Sequence, residues 1–206
     1  TGNATVQFLD AHDNSGALDG KGCRSTWTLI STDAGLTAFT LTFAGQIRLS
    51  LPARTPVNSW PEVRVKIINA GTPVNYGCSN DAFAIRPSYI DTVGATARDA
   101  DWQTNGNARS LNNLAAAGGN VHAAGKPFSL SGLTARNALN NPTTNYAGNP
   151  TLVPGNLVFP DPTYCTTNGY TCTPGTFTVN SWNYASGVLS STTAAYSEAG
   201  TFSWEV

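Results

Sequence analysis

Apolar residues in this chain recur at every second position, in short runs broken by Gly, Asn, Asp and Pro. Thr5-Val6-Gln7-Phe8-Leu9, Ser25 to Ile30, Ala38 to Phe43, Ile47 to Leu51 and Val63 to Ile68 all alternate in this way. A period of two is the signature of a strand with one buried face. In Val63-Arg64-Val65-Lys66-Ile67 the valines and Ile67 share one face, while Arg64 and Lys66 share the other. An antiparallel sheet with one packed and one wet side follows, as in a β-sandwich.

After Cys78 the alternation pauses at Ser79-Asn80-Asp81 and restarts. Phe83 to Ile85, Tyr89 to Val93, Phe128 to Ala135, Leu157 to Phe159, Gly175 to Val179, Ala194 to Tyr196 and Thr201 to Trp204 form a second strand set. The expected organisation is therefore all-β, with two tandem antiparallel sandwich domains at 1–82 and 83–206. The one helical candidate is Ala108 to Ala117, with Asn107 as its N-cap and Gly118 past its end. The absence of Met, even at position 1, suggests a processed product or an excised piece, so the second domain need not be whole.

Charge is scarce. Asp, Glu, Lys and Arg make up 11% of the 206 residues, against about 25% in ordinary domains, and the formal net charge is -1. A chain so balanced has no broad positive field for phosphates or anionic lipid, which argues against nucleic acid. No apolar run is long enough for a membrane-spanning helix, so membrane insertion is not expected either. Four cysteines, Cys23, Cys78, Cys165 and Cys172, allow three connectivities. Cys23 with Cys78 and Cys165 with Cys172 is the favoured pairing, because Asn168-Gly169 reads as a hairpin turn that would place the last two on facing strands. Two disulfides imply an oxidising compartment.

Chemistry is hard to find in the sequence. His12 and His122 are the only histidines, neither stands in a nucleophile setting, and nothing selects a carboxylate pair among the twelve acidic residues. No catalytic residue is assigned. Asp10, Asp13, Asn14 and Asp19 make the densest oxygen-rich loop and are weak candidates for Ca²⁺, without EF-hand spacing. No other cofactor is expected. Asp99 and Asp101 are a weaker pair still. Trp60, Trp102 and Trp182 lie among Asn, Ser, Pro and Gly, where a ring could stack on a sugar; the plainer reading is loop packing. Asp81 and Arg86 could pair as ions. The sequon Asn3-Ala4-Thr5 is also present.

Cys78-Ser79-Asn80-Asp81-Ala82-Phe83-Ala84-Ile85-Arg86-Pro87 resembles the CSxDxFAIRP box of MshQ-like proteins, large surface proteins encoded with mannose-sensitive haemagglutinin (type IV) pili. Ala124 to Leu130 with Ala135, Thr144-Asn145-Tyr146-Ala147-Gly148 and Ala195-Tyr196-Ser197-Glu198-Ala199-Gly200 resemble that family's AGxPFxLxxxA, TxNYxG and AxYxExG elements, in the same order. The segment around 101–119 and the Cys165/Cys172 pair depart from it, and residues 1–77 match only loosely. The resemblance implies immunoglobulin-like β modules on a bacterial cell surface or outside the cell, linked to pili or adhesion, with no catalytic residues.

The function expected from these observations is a non-enzymatic bacterial surface or pilus-associated structural and adhesive module. The alternative is a carbohydrate-binding accessory module of a secreted protein. With so little charge, association must come from contact area. Other protein subunits or modules joined through β contacts are the expected partners, with Thr5 to Leu9 and Thr201 to Val206 as the strands involved and surface glycans second.

Overall fold

A computed structural model describes residues 2–45, 48–69, 71, 73–99, 109–111, 122–159 and 162–206. It is nearly all β, with two curled antiparallel sheets that make two β-sandwich-like domains. Residues 1–88 with 136–146 form one compact unit, and 89–135 with 147–206 form the other. The sequence reading cut the chain once, at 82/83. The residues after that cut, Phe83–Ile85, instead complete the first sheet, and the segment 136–146 returns to the first unit.

In the first unit, β1 (Gly2–Asp10) lies inside the sheet. One side of it pairs with β2 (Thr28–Leu29) and β3 (Phe39–Phe43), the other with β4 (Trp60–Asn69). β4 in turn carries β5 (Asn75–Cys78) and β6 (Phe83–Ile85). The alternation sets the faces. Ala4, Val6 and Phe8 are buried on one side, where Phe8 and Val63 meet Ile30 and Leu36. Leu9 and Ala11 are buried with Trp27 in a separate cluster against Cys78.

Two expected strands are shorter or missing. Ser25 to Ile30 reduces to Thr28–Leu29, and residues 48–51 are irregular and exposed. No sheet edge takes the latter, so their alternation has no surface to bury.

The tightest polar feature of this unit is Asp33, which is fully buried. Its Oδ1 accepts from Gly35 N at 2.9 Å and Val57 N at 3.0 Å, and its Oδ2 from Asn58 N and the Trp60 indole at 3.0 Å each. Four neutral donors thus solvate one buried carboxylate and fix the Ala34–Leu36 turn against the entry to β4. Asn145 clamps the same entry: it accepts from Ser59 N at 2.9 Å and donates to Ser59 O. Asn137 adds a bond to Val57 O at 3.0 Å. Within Thr144-Asn145-Tyr146-Ala147-Gly148, Asn145 thus ties this segment to the start of β4.

The second unit is built on β10 (Phe128–Arg136) and β14 (Val188–Tyr196). β7 (Tyr89–Asp91) and β8 (Thr96–Asp99) lie beside β10, and β9 (Arg109–Ser110) pairs with β8. β12 (Phe177–Val179) and β13 (Asn183–Ala185) pair with β14, while β11 (Val153–Phe159) and β15 (Thr201–Glu205) form a two-stranded ribbon. The expected helix at 108–117 is not supported where it is described, because Arg109–Ser110 is strand. A short Ala-rich helix is marginal alone, and the open edge of β8 offers those residues a ladder. The rest of that segment lies outside the described residues.

Along β10 the buried set switches from Phe128 and Leu130 to Leu133 and Ala135. A register shift between Leu130 and Leu133 allows it. Gly132 supplies the kink at φ 81°, and a Cβ there would sit 2.7 Å from Gly94 O. Aromatic contacts complete the core. Phe128 stacks on Phe177 at 5.9 Å, Phe177 meets Phe202 edge-on at 5.7 Å, and Tyr196 stacks on Phe202 at 3.7 Å.

Both favoured disulfides are formed, Cys23–Cys78 and Cys165–Cys172, and no described cysteine is free. The setting of the second differs from expectation. Cys165 lies in a short helix, α1 (Pro162–Thr167), and not on a hairpin strand. Gly169 at φ 74° ends this helix: Gly169 N donates to Thr166 O and Tyr170 N to Cys165 O, the pattern of a Schellman motif. Asn168-Gly169 demands a left-handed residue, and a helix end satisfies that demand as well as a β-turn does.

Candidate functional site

A concavity lies in the first unit, on the face of β4 that the alternation had assigned to solvent. Residues 11–27 fold across that face and bring Trp27 against Leu9 and Ala11. The Cys23–Cys78 bond ties this loop to the end of β5, and Cys78 N donates to Lys21 O at 3.0 Å. Between loop and strand lie two adjoining basins of about 390 and 500 Å³ that share Leu18, Arg24 and Trp27. Together they form one open trough. Arg64 and Asn80 line one basin; Ser25, Lys66, Tyr76 and Asp19 line the other.

The cations at this trough are held by aromatic rings. The Arg64 guanidinium stands 4.8 Å from the Trp27 ring centre, and the ammonium groups of Lys21 and Lys66 stand 4.3 and 4.6 Å from that of Tyr76. Arg64 is also tied to Ser79 O at 2.9 Å, Asn80 O at 2.7 Å and Glu62 at 3.3 Å. The Arg24 guanidinium donates from Nη1 to Gly16 O at 2.8 Å, its one hydrogen bond among the described residues. Trp27 is only 9% exposed and donates its indole N–H to Asn14 Oδ1, so it is a wall of the trough and not a stacking platform.

The one carboxylate lining the trough is already engaged. Asp19 Oδ1 accepts from Lys21 N and Cys23 N, and its Oδ2 from the Tyr76 hydroxyl at 2.8 Å. The Cys23 amide, then Tyr76 and Lys21, hold Asp19 below the ordinary carboxylate range, while the same bond to Asp19 raises Tyr76.

The oxygen-rich loop proposed for Ca²⁺ is dispersed among separate bonds. Asp10 takes His12 Nδ1 at 2.8 Å, raising that imidazole, and Asp13 takes Ser15 N and Oγ, which lower it. Asn14 bridges Trp27 and Glu62. Among the described residues no three His, Cys, Asp or Glu side chains gather into a metal site.

The three tryptophans considered for glycan contact are not brought together. Trp60 packs on the Ile30–Leu36 core and donates to Asp33. Trp182 is half-buried in the connection between β12 and β13 of the second unit, and Trp102 lies outside the described residues, as does Asp101. Asp81 and Arg86 are both exposed, and no ion pair joins them among the described residues. His122 meets Asp99 at 3.3 Å, with its Nε2 2.9 Å from Lys126 O. Both ring nitrogens therefore face oxygen, and neither faces a nucleophile.

The trough residues were visible in the sequence only in part. Arg64 and Lys66 were read as wet-face positions, Trp27 as a strand residue, and Tyr76 was not singled out. The signal that joins them is the Cys23/Cys78 pairing, which brings the Trp27 loop to the Tyr76 strand. Comparison with family models, curated proteins and solved structures finds no match.

Proposed function

We propose that this chain is a non-enzymatic structural and adhesive β-sandwich module of a bacterial cell surface, associated with pili. The observation that carries the reading is the work done by the residues of the MshQ-like boxes. Cys78 closes the disulfide, the Ser79 hydroxyl accepts from Val65 N at 3.1 Å and donates to Asp81 O at 2.8 Å, and Phe83–Ile85 completes the sheet on β4. Asn145 clamps Ser59, and the Tyr196 hydroxyl and Ser197 Oγ accept from Gly175 N and Thr176 N. Each of these residues ties one stretch of backbone to another through its side chain, a strand pairing or the disulfide, which supports a structural role for the boxes. Two disulfides are compatible with that location, and no described helix is long and apolar enough to cross a membrane.

Partner contacts through strands fit one terminal strand better than the other. β1 is hydrogen-bonded on both sides within its sheet and offers no open edge. β15 pairs with β11 in a two-stranded ribbon, the smaller sheet that a strand from a neighbouring subunit would extend. The alternative, a carbohydrate-binding accessory module, is favoured by the trough. Surface biotinylation and immunogold imaging of native cells test the main reading; label at the cell surface is expected, and retention inside the cell overturns it.

A further inference from the structure

We propose that the Trp27–Tyr76 trough binds an acidic saccharide, its carboxylate held by Arg24 and Lys66 and its hydroxyls by Ser25 and Asn80. The inference rests on the adhesive reading above and names its ligand.

Charge is the first argument. Eleven Lys and Arg serve the whole chain, yet Arg24, Arg64 and Lys66 line this one trough and Lys21 stands beside it. The only carboxylate lining it, Asp19, has both oxygens committed to Lys21, Cys23 and Tyr76. Arg64 is committed to Glu62 and two carbonyls. The Nε and Nη2 of Arg24 and the ammonium of Lys66 have no hydrogen-bond or ion-pair partner among the described residues. A guanidinium fork and a point cation in one basin of about 500 Å³ match a carboxylate. The basin is also of a size that holds small ligands.

Rigidity is the second argument. The disulfide fixes the loop to the strand, and the rings of Tyr76 and Trp27 hold three cations in place before any ligand arrives. Preorganisation of this kind cuts the entropy cost of binding.

The choice of saccharide over acidic peptide follows from the backbone. A peptide is commonly held by adding a strand, but at this wall the Cys78 amide is already taken by Lys21 O. Recognition is left to side chains. Ser25 Oγ and the Asn80 amide, both exposed and without a hydrogen-bond partner among the described residues, suit vicinal hydroxyls, and Leu18, 59% exposed, suits the apolar face of a sugar ring.

The test is isothermal titration of the complete chain with trigalacturonate and 3′-sialyllactose, against the neutral controls trigalactose and lactose. At least one acidic sugar binds, its neutral counterpart binds at least about tenfold more weakly, and salt weakens the acidic complex. Arg24→Gln and Lys66→Gln each lower affinity about tenfold, Lys66→Arg restores most of it, and Arg86→Gln, an exposed charge elsewhere in the same unit, changes nothing. Thermal melts confirm that each variant is folded. Equal binding of acidic and neutral sugars, no binding of either acid at about 1 mM, or tighter binding of poly-glutamate than of the sugars overturns the proposal. Absence of binding by a chain shown to be on the cell surface removes the ligand assignment alone. Binding by a chain never displayed there removes the adhesive reading and leaves the trough.

Discussion

In the first unit the buried apolar cluster around Ile30, Leu36, Phe8 and Val63 is small, and long irregular stretches join its strands. Its order depends on a few polar and covalent points: Asp33 with four donors, Asn145 on Ser59, and a disulfide spanning 55 residues. The second unit buries Phe128, Leu130, Leu133 and Ala135 of β10 and Leu189, Ala194 and Tyr196 of β14, extended by Phe177 and Phe202, and its disulfide spans only 7 residues. The lesson is that the two units, alike in class, should fail differently. The first should be sensitive to loss of a single hydrogen-bonding or covalent point, the second to loss of packed volume.

Asp33→Ala is the largest predicted effect. It leaves three backbone amides and one indole N–H buried without an acceptor, at roughly 1–3 kcal/mol each and not additive, so a loss of about 5 kcal/mol is expected in the first unit. Hydrogen exchange resolved by segment should show residues 28–69 opening while β10 and β14 keep their protection; uniform loss across both units would erase the contrast. Replacing Cys23 and Cys78 by Ala follows at about 4 kcal/mol on the chain-entropy model, against about 2.4 kcal/mol for the Cys165/Cys172 pair. Urea unfolding of the two double variants measures the gap, and equal losses would show that loop length is not what matters here. Leu133→Ala lies between them. Leu133 is fully buried opposite Leu189, and its truncation should cost about 3 kcal/mol, confined to the second unit.

This division also explains how far the sequence could be read. Strands that alternate and are long, such as Thr5 to Leu9, Val63 to Ile68 and Phe128 to Ala135, form where the alternation puts them, but their faces follow it less closely: Ile67, expected on the packed face with Val63, is 47% exposed, and the buried set of β10 switches at Gly132. The short strands Asn75–Cys78, Thr96–Asp99 and Asn183–Ala185 escaped, since each owes its form to a neighbour already in place. The Ser186-Gly187 dipeptide was a legible turn that was passed over: Ser186 at φ 50° and Gly187 at φ 80° close a tight hairpin in which Ala185 faces Val188. Asp33 was invisible for a different reason. A buried carboxylate solvated by amides from residues 57 and 58 has no local pattern, because its donors come from far along the chain. The trough has the same character: Arg24, Lys66 and Tyr76 meet only after the disulfide has joined their segments.

The smallest predicted effect concerns the rim of the trough and separates local order from global stability. Asp19 is held below its ordinary value by the Cys23 amide first and Tyr76 second, so its contribution is complete above about pH 4 and is lost as pH falls through the lowered value. Tyr76 is raised by the same bond, so its contribution is complete below about pH 10 and is lost as pH rises through the raised value. Between those limits the Lys21 and Cys23 amides stay fixed on the carboxylate. Both groups are half-buried at the rim and still reached by solvent, so the melting temperature should barely move at either end. Nuclear magnetic resonance should instead show the Asp19 carboxyl titrating below 3.8, with the Lys21 and Cys23 amide shifts following it. Tyr76→Phe should move that midpoint part of the way back, because the larger cause, the Cys23 amide, remains. A midpoint at or above the ordinary value would mean that Asp19 does not hold the loop, and that the disulfide alone sets the wall of the trough.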